Sequence, residues 1–277
     1  MAKFPFHQVD VFSTEPLQGN PLAVILNADA LSTAQMAAFA NWTNLSETTF
    51  LLKPTVSGAD YRVRIFTPST ELPFAGHPTL GTCHVWLTAG GKPHNAEIIQ
   101  QCEAGLIRIR RDGRQLAFAA PPLQRSGPLE VKMLGKIAKI LRIERDAIVR
   151  SSWADNGPGW AAVMLGSREE LLALKPDFAA MSGLNLGVIA PAAGAEFQFE
   201  VRGFAPEAGV PEDPVTGSLN AALAQWFFAE DLAPAESYMV AQGTVLGRAG
   251  RVHISRSGAD IWVGGNTVTC ITGTLTL

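Results

Sequence analysis

The chain nearly repeats itself, and a repeat constrains architecture before any single residue is interpreted. Arg64-Ile-Phe66-Thr-Pro68 returns as Arg202-Gly-Phe204-Ala-Pro206, 138 residues later. A glycine-led apolar stretch follows each copy: Gly76-His77-Pro78-Thr79-Leu80 through Trp86, and Gly217-Ser218-Leu219-Asn220 through Trp226. Farther on, AGLIRIRRDG (104–113) aligns without gaps to AGRVHISRSG (249–258), with five of ten positions identical. The offset drifts from 138 to 141 to 145, as a few loop residues gained in the second copy would produce. Strand–turn segments can resemble one another by chance, but three matches in the same order argue against it. Copies of this length far exceed the roughly 20–50 residues of a solenoid unit. Two related domains facing each other are expected. Pro121 and Pro122, leading into Leu-Gln-Arg-Ser-Gly-Pro, break any regular element and mark the linker. The expected domains are therefore residues 1–120 and 121–277, with the last strand able to pair back on the first.

Residue patterns place strands and helices on this frame. Tyr61–Phe66, Leu106–Arg110, Phe197–Val201, Val252–Ser255 and Ile261–Val263 alternate or are rich in β-branched residues, so they are expected as strands. Ser32-Thr-Ala-Gln35 is a capping box for a helix to about Ala40, and Ser167-Arg-Glu-Glu170 starts another. A third helix is expected over Leu129–Leu141. Pro78–Thr88 and Ser218–Ala229 are apolar nearly all round, the pattern of a buried helix rather than a surface one. Each is expected to be the central helix of its domain, wrapped by a curved sheet.

Composition removes several function classes. Formal net charge is −3 over 277 residues and no Lys/Arg stripe is present, so neither nucleic acid nor an anionic membrane is an expected partner. Cys83, Cys102 and Cys270 are isolated, an odd count without a CxxC pair, which argues against a disulfide framework and a structural zinc. MAKFPFHQVDVF lacks the basic-then-apolar pattern of a secretory leader. The uncharged run Phe178–Ala195 contains Asn185, Pro191 and three glycines, which fits a buried strand and turns better than a membrane helix. A cytoplasmic enzyme is the expectation. No glycine-rich phosphate loop, HExxH or GxSxG element occurs.

The chemistry concentrates just before the two apolar helices. Glu71-Leu-Pro73-Phe-Ala75-Gly76-His77-Pro78-Thr79 precedes one, and Pro211-Glu212-Asp213-Pro214-Val215-Thr216-Gly217-Ser218 precedes the other. A helix start presents unpaired N–H groups and partial positive charge, suited to a carboxylate. If the halves face each other, both starts point into one cleft able to grip a small anion without lysine. Read singly, Thr216 and Ser218 are ordinary caps and Pro78 a helix-first proline. Taken together with an imidazole and a carboxylate at the same two places, they favour a site. His77, between glycine and proline, stands apart from the other four histidines, and Asp213 is too early to cap a helix starting at Ser218. Glu47, at the start of the strand Thr49–Leu52, is either a solvated turn residue or, among neutral neighbours, a carboxylate with a raised pKa able to exchange protons.

These residues resemble the PhzF-like, or phenazine-biosynthesis-like, family. The matching segments are VDVFSTEPLQGNPLAV (9–24), NLSETTFLL (44–52), RIFTPSTELPFAGHPTLGT (64–82), DNGPGWAAVML (155–165), RGFAPEAGVPEDPVTGS (202–218) and AQGTVLGRAGRV (241–252). The resemblance implies an α/β chain of the diaminopimelate-epimerase-like fold, with two pseudo-symmetric domains, each a curved mixed sheet around a central helix. It implies Glu47 as general acid/base in a proton shift on a dihydro-hydroxyanthranilate-like substrate. His77, Asp213 and Ser218 would position the substrate or relay protons. Gly76 and Gly217 would offer backbone N–H groups, with Pro78 and Thr216 beside them in the substrate-binding segments. Homodimers are implied as well. Leu219 departs from the smaller residue many relatives carry there.

Cousins on that fold use two thiols, one at each central helix start. Here those neighbourhoods lack cysteine, and Cys83 falls inside its helix. The expected activity is therefore isomerisation of a small carboxylate without metal or organic cofactor. The alternatives are a carboxylate-based epimerase or racemase, and a non-catalytic small-molecule-binding or interaction protein.

Overall fold

The computed structural model describes residues 2–206 and 209–277; Glu207 and Ala208 of the segment RGFAPEAGVPEDPVTGS (202–218) lie outside the described residues. The chain divides into two compact units, one made of Met1–Ala119 and Gly264–Leu277, the other of Ala120–Val263.

The first unit begins with strands β1 (Lys3–Val11) and β2 (Asn20–Ile25), helix α1 (Thr33–Thr43), then β3 (Thr48–Leu52), β4 (Tyr61–Phe66) and the short β5 (Glu71–Leu72). Helix α2 (Gly76–Thr88) and strands β6 (Ile98–Cys102), β7 (Gly105–Asp112) and β8 (Gln115–Ala119) follow. The second unit holds β9 (Arg125–Gly127), α3 (Val131–Leu141), β10 (Ile148–Asp155), β11 (Trp160–Leu165) and α4 (Arg168–Ala173). It continues with β12 (Asn185–Pro191), β13 (Phe199–Ala205), β14 (Val210–Asp213), α5 (Gly217–Ala229), β15 (Ser237–Gln242), β16 (Gly250–Ser257) and most of β17 (Asp260–Gly265). The final strand, β18 (Thr267–Thr276), belongs to the first unit.

The two units share one ladder plan. In the first the order is β18-β1-β2-β3-β4-β6-β7-β8, with β2–β3 and β4–β6 parallel and the other pairs antiparallel. In the second it is β9-β10-β11-β12-β13-β15-β16, with β11–β12 and β13–β15 the parallel pairs. Each sheet is mixed and curls around its own helix: α2 touches both ends of its ladder, β18 and β8, as well as β1, β2 and β3. Helix α5 packs on β10, β11 and β16. Both helices are 13 residues long and buried over most of their length, as their all-round apolarity requires. Complete burial of side chains such as Leu80, Val85, Leu219 and Phe227 contributes roughly 1.5–3 kcal/mol each. Gly81 allows α2 to lie against the sheet, because a Cβ there would come within 2.5 Å of Leu22 Cδ2. The outer face of the first sheet is covered by α1 through Met36 and Phe39, and that of the second by α3 and α4.

The sequence repeat reaches down to side-chain contacts. Arg64 holds Glu71 with two hydrogen bonds, Nε to Oε1 at 2.7 Å and Nη2 to Oε2 at 2.6 Å. Arg202 holds Glu212 in the same way, both at 2.8 Å. Each guanidinium lies 5.1 Å from the ring of the phenylalanine two residues on, Phe66 or Phe204. Tyr61 meets Trp86 at 5.1 Å between ring centroids, and their counterparts Phe199 and Phe227 meet at 5.0 Å. The Arg-x-Phe-x-Pro motif is therefore a tie between the inner strand of each sheet and the short strand that delivers the chain to the central helix.

The capping box of α1 forms as expected, with Ser32 accepting from the Gln35 amide and Gln35 Oε1 accepting from the Ser32 amide. The central helices start earlier than expected, at Gly76 and Gly217 rather than Pro78 and Ser218. Pro78 is thus the third helical residue, still within the turn whose amides lack intrahelical partners.

Candidate active site

In the first unit the start of α2 and the loop before β3 bring an imidazole against a carboxylate. His77, the second residue of α2, is 4% exposed. Its Nε2 lies 3.3 Å from Glu47 Oε2, at an angle short of a hydrogen bond. On the other side of the ring, Nδ1 is 3.4 Å from the side-chain amide of Asn20. Ser46 Oγ, 3.5 Å from Asn20 Oδ1, donates there and so turns the Asn20 NH2 toward the imidazole. An NH2 facing Nδ1 makes that nitrogen the acceptor and leaves the ring proton on Nε2, on the Glu47 side of the ring. Burial pushes the His77 pKa down to about 3, so the ring is neutral near pH 7 rather than a cation. Sequence analysis singled out Glu47 and His77 but missed Asn20, whose signal was its place in the GNP turn opening β2.

The start of α2 is bare. Its N-cap, Ala75, carries no polar side chain, and the first intrahelical bond runs from the Thr79 amide to Ala75 O. The amides of Gly76 and His77 precede that bond, and Pro78 has none to satisfy.

In the second unit the start of α5 is organised by a buried amide. Gln242, 1% exposed, accepts from the Thr216 amide and Asn220 Nδ2, and donates to Asp213 O and Thr216 Oγ1. Thr216 in turn donates to Asp213 Oδ2 at 2.7 Å. Its hydroxyl is spent on that carboxylate, so Thr216 is not the ordinary cap that it would be if read singly, and α5 has no side-chain cap either. Nor does Ser218 act as a cap: it is the second residue of α5, and its Oγ accepts from Trp160 Nε1 at 3.2 Å while its carbonyl accepts from Asn156. Gly217 occupies the first helical position, as Gly76 does in α2. Gln242, Trp160 and Asn156 escaped sequence analysis because amide and indole contacts across a sheet leave no periodic trace.

Comparing the two constellations shows where the repeat diverged. Asp10 accepts from the Gly19 amide just before β2, and Asp155 accepts from the Gly159 amide just before β11. The next residues, Asn20 and Trp160, each reach the second residue of the central helix, His77 or Ser218. Glu47 has no acidic counterpart. Register against β4 and β13 matches it to Asn185, and register against β2 and β11 matches it to Gly187. A Cβ at Gly187 would fall 2.4 Å from Leu219, so that slot is filled by leucine. Among the described residues, the second unit therefore has no carboxylate at the position that matches Glu47.

Cys83 is buried inside α2, with its thiol pushed up to about 12 by burial. No cluster of three or more His, Cys, Asp or Glu able to hold a metal occurs among the described residues. No helix among them is long and apolar enough to cross a membrane.

A family model described as phenazine biosynthesis-like protein matches residues 9–273. The chain belongs to this family. It is 36% identical over 280 positions to the trans-2,3-dihydro-3-hydroxyanthranilate isomerase of Pseudomonas fluorescens, covering 97% of this chain and 98% of that one. It is also 36% identical over 293 positions to antisense-enhancing sequence 1 of Schizosaccharomyces pombe, covering 99% of each. Among solved structures, the phenazine biosynthesis protein of the PhzF family from Enterococcus faecalis superposes with a TM-score of 0.81 at 26% identity, covering 100% of both chains. The family fold is diaminopimelate-epimerase-like, in agreement with the paired mixed sheets around central helices. One relative's name states a reaction and the other's does not, so the likeness assigns the phenazine biosynthesis-like family and its isomerase members rather than a substrate.

Proposed function

We propose that this chain is an isomerase that shifts a proton within a small carboxylate substrate resembling dihydro-hydroxyanthranilate, with Glu47 as general acid/base. The observation carrying this reading is the 3.3 Å approach of Glu47 Oε2 to a histidine that burial keeps neutral. A neutral imidazole beside the carboxylate adds no second titrating group near pH 7. Glu47 can then take a proton from one carbon and return it to another. Such a shift needs a positioned acid/base and no redox partner, so no cofactor is required. Gly76 and Pro78 in the first unit, and Thr216 and Gly217 in the second, are each assigned to substrate binding, at helix starts that no side chain caps. Asp213 and Ser218 are assigned to positioning, each already oriented by a partner, Thr216 or Trp160. By strand register the position of Glu47 has no acidic counterpart in the second unit, which favours transfer by one acid on one face of the substrate. An epimerase would instead have to recruit His77 or Asp213 as the opposite-face partner.

Incubation with trans-2,3-dihydro-3-hydroxyanthranilate in deuterated buffer, followed by proton NMR, tests the reading. Wild type is expected to convert the compound and place deuterium at a single carbon. Glu47→Gln is expected to retain the fold and bind the compound while losing roughly 10²–10⁴-fold in turnover. Turnover of that variant at the wild-type rate would end the assignment.

A further inference from the structure

The opposite end of α2 borders a concavity that the chemistry above does not use. It is a cleft of about 430 Å³, within the range of roughly 300–1,000 Å³ that small-molecule sites occupy. Its walls are the last turns of α2 (His84, Leu87, Thr88), the β7–β8 hairpin (Arg111, Gly113, Arg114, Leu116) and the start of β18 (Thr267–Thr269). All belong to the first unit. Along α2, Thr88 lies eleven residues beyond His77, about 16 Å at the helical rise, so the cleft is separate from the His77–Glu47 contact.

The lining is apolar with one sign of charge. Leu87, Leu116 and Val268 supply the apolar surface, Arg111 and Arg114 supply the charge, and no carboxylate lines the cleft. Neither arginine forms an ion pair among the described residues; Arg111 Nε donates to Gly113 O, which holds its guanidinium at the hairpin. The end of a helix ordinarily repels anions through its unpaired carbonyls. Here the carbonyls of Val85, Trp86 and Leu87 are covered by the amides of Ala89, Gly91 and Gly90, which lessens that repulsion. Thr267 adds a buried hydroxyl with no hydrogen-bond partner among the described residues. His84 Nε2 is 2.9 Å from Thr269 Oγ1. Burial, with His7 nearby, lowers its pKa and leaves it neutral.

We propose that this cleft is a second ligand site for a small amphiphilic carboxylate, its apolar body on Leu87, Leu116 and Val268 and its anionic head paired with Arg111 and Arg114. The pairing of two guanidiniums that form no ion pair among the described residues with an apolar floor selects against neutral polar molecules and against cations alike.

The probe is 4-(trifluoromethyl)benzoate, titrated by fluorine NMR against the neutral 4-(trifluoromethyl)benzyl alcohol. Backbone amide shifts recorded in parallel locate the bound molecule. Wild type is expected to bind the benzoate at least about tenfold more tightly than the alcohol, as a charge-assisted pair requires. The largest amide shifts are expected at Leu87, Leu116 and Thr267–Thr269. Arg111→Gln with Arg114→Gln is expected to remove that preference while melting as wild type does, both residues being exposed. If the double variant proves misfolded, Arg114→Glu alone, which keeps the Arg111–Gly113 bond, is expected to weaken the benzoate by about tenfold. Equal affinity for acid and alcohol, undiminished binding in these variants, or shifts confined to the neighbourhood of His77 would each overturn the proposal.

Discussion

His77 ties acid stability to the site. An unfolded histidine titrates near 6.5, and burial lowers the folded value to about 3. Between those values the unfolded chain binds a proton that the native chain does not. Native stability therefore falls as pH drops below about 6.5, by up to about 1.4 kcal/mol per unit, while above 6.5 the residue contributes no pH dependence. Replacing His77 by Gln removes that slope. From pH 7 to pH 5 the urea midpoint of wild type is expected to fall further than that of His77→Gln, by the equivalent of about 2 kcal/mol. Parallel falls would show that the imidazole is not held neutral. The role of Asn20 explains why only part of this was legible in sequence. Glu47 and His77 stand out by neighbours along the chain, but the amide that sets the tautomer comes from 57 residues away and looks like any turn asparagine.

At the level of elements, one motif occurs in two environments, which makes a built-in comparison. Arg202 and Glu212 have side chains 4% and 9% exposed, and Arg202 also donates to the carbonyls of Leu171 and Leu174. Arg64 and Glu71 are 20% and 27% exposed. Removing one partner of a buried pair strands a charge, at about 3–5 kcal/mol, while exposed pairs are worth about 0–1 kcal/mol. Arg202→Met is expected to lower the urea midpoint several times more than Arg64→Met. Equal losses would mean that burial does not set the value of this tie. The motif's recurrence was plain in sequence because Arg, Phe and Pro sit at fixed spacing. The absence of caps on α2 and α5 was not, because Thr216 and Ser218 are residues that cap elsewhere, and only the positions of Asp213 and Trp160 show their hydroxyls to be engaged.

For the whole chain, the first unit draws on both ends of the sequence. Strand β1 is paired on one side with β2 and on the other with β18, and Leu275 and Leu277 pack against the cluster containing Phe4, Ile25 and Phe39. Deleting residues 267–277 is expected to strip hydrogen-exchange protection from β1, β2 and α2 while the amides of β11–β13 stay protected. Uniform loss of protection would show that the two units do not hold their structure separately. That arrangement also orders events on the ribosome. The unit that starts first cannot close its sheet until residues 264–277 have been made, whereas nearly all of Ala120–Val263 emerges as one uninterrupted stretch. Synthesis proceeds at roughly 5–20 residues per second, so the growing chain carries β1 with an unpaired edge for many seconds. In that interval the exposed strand is a place where a chaperone, or another nascent copy, could dock.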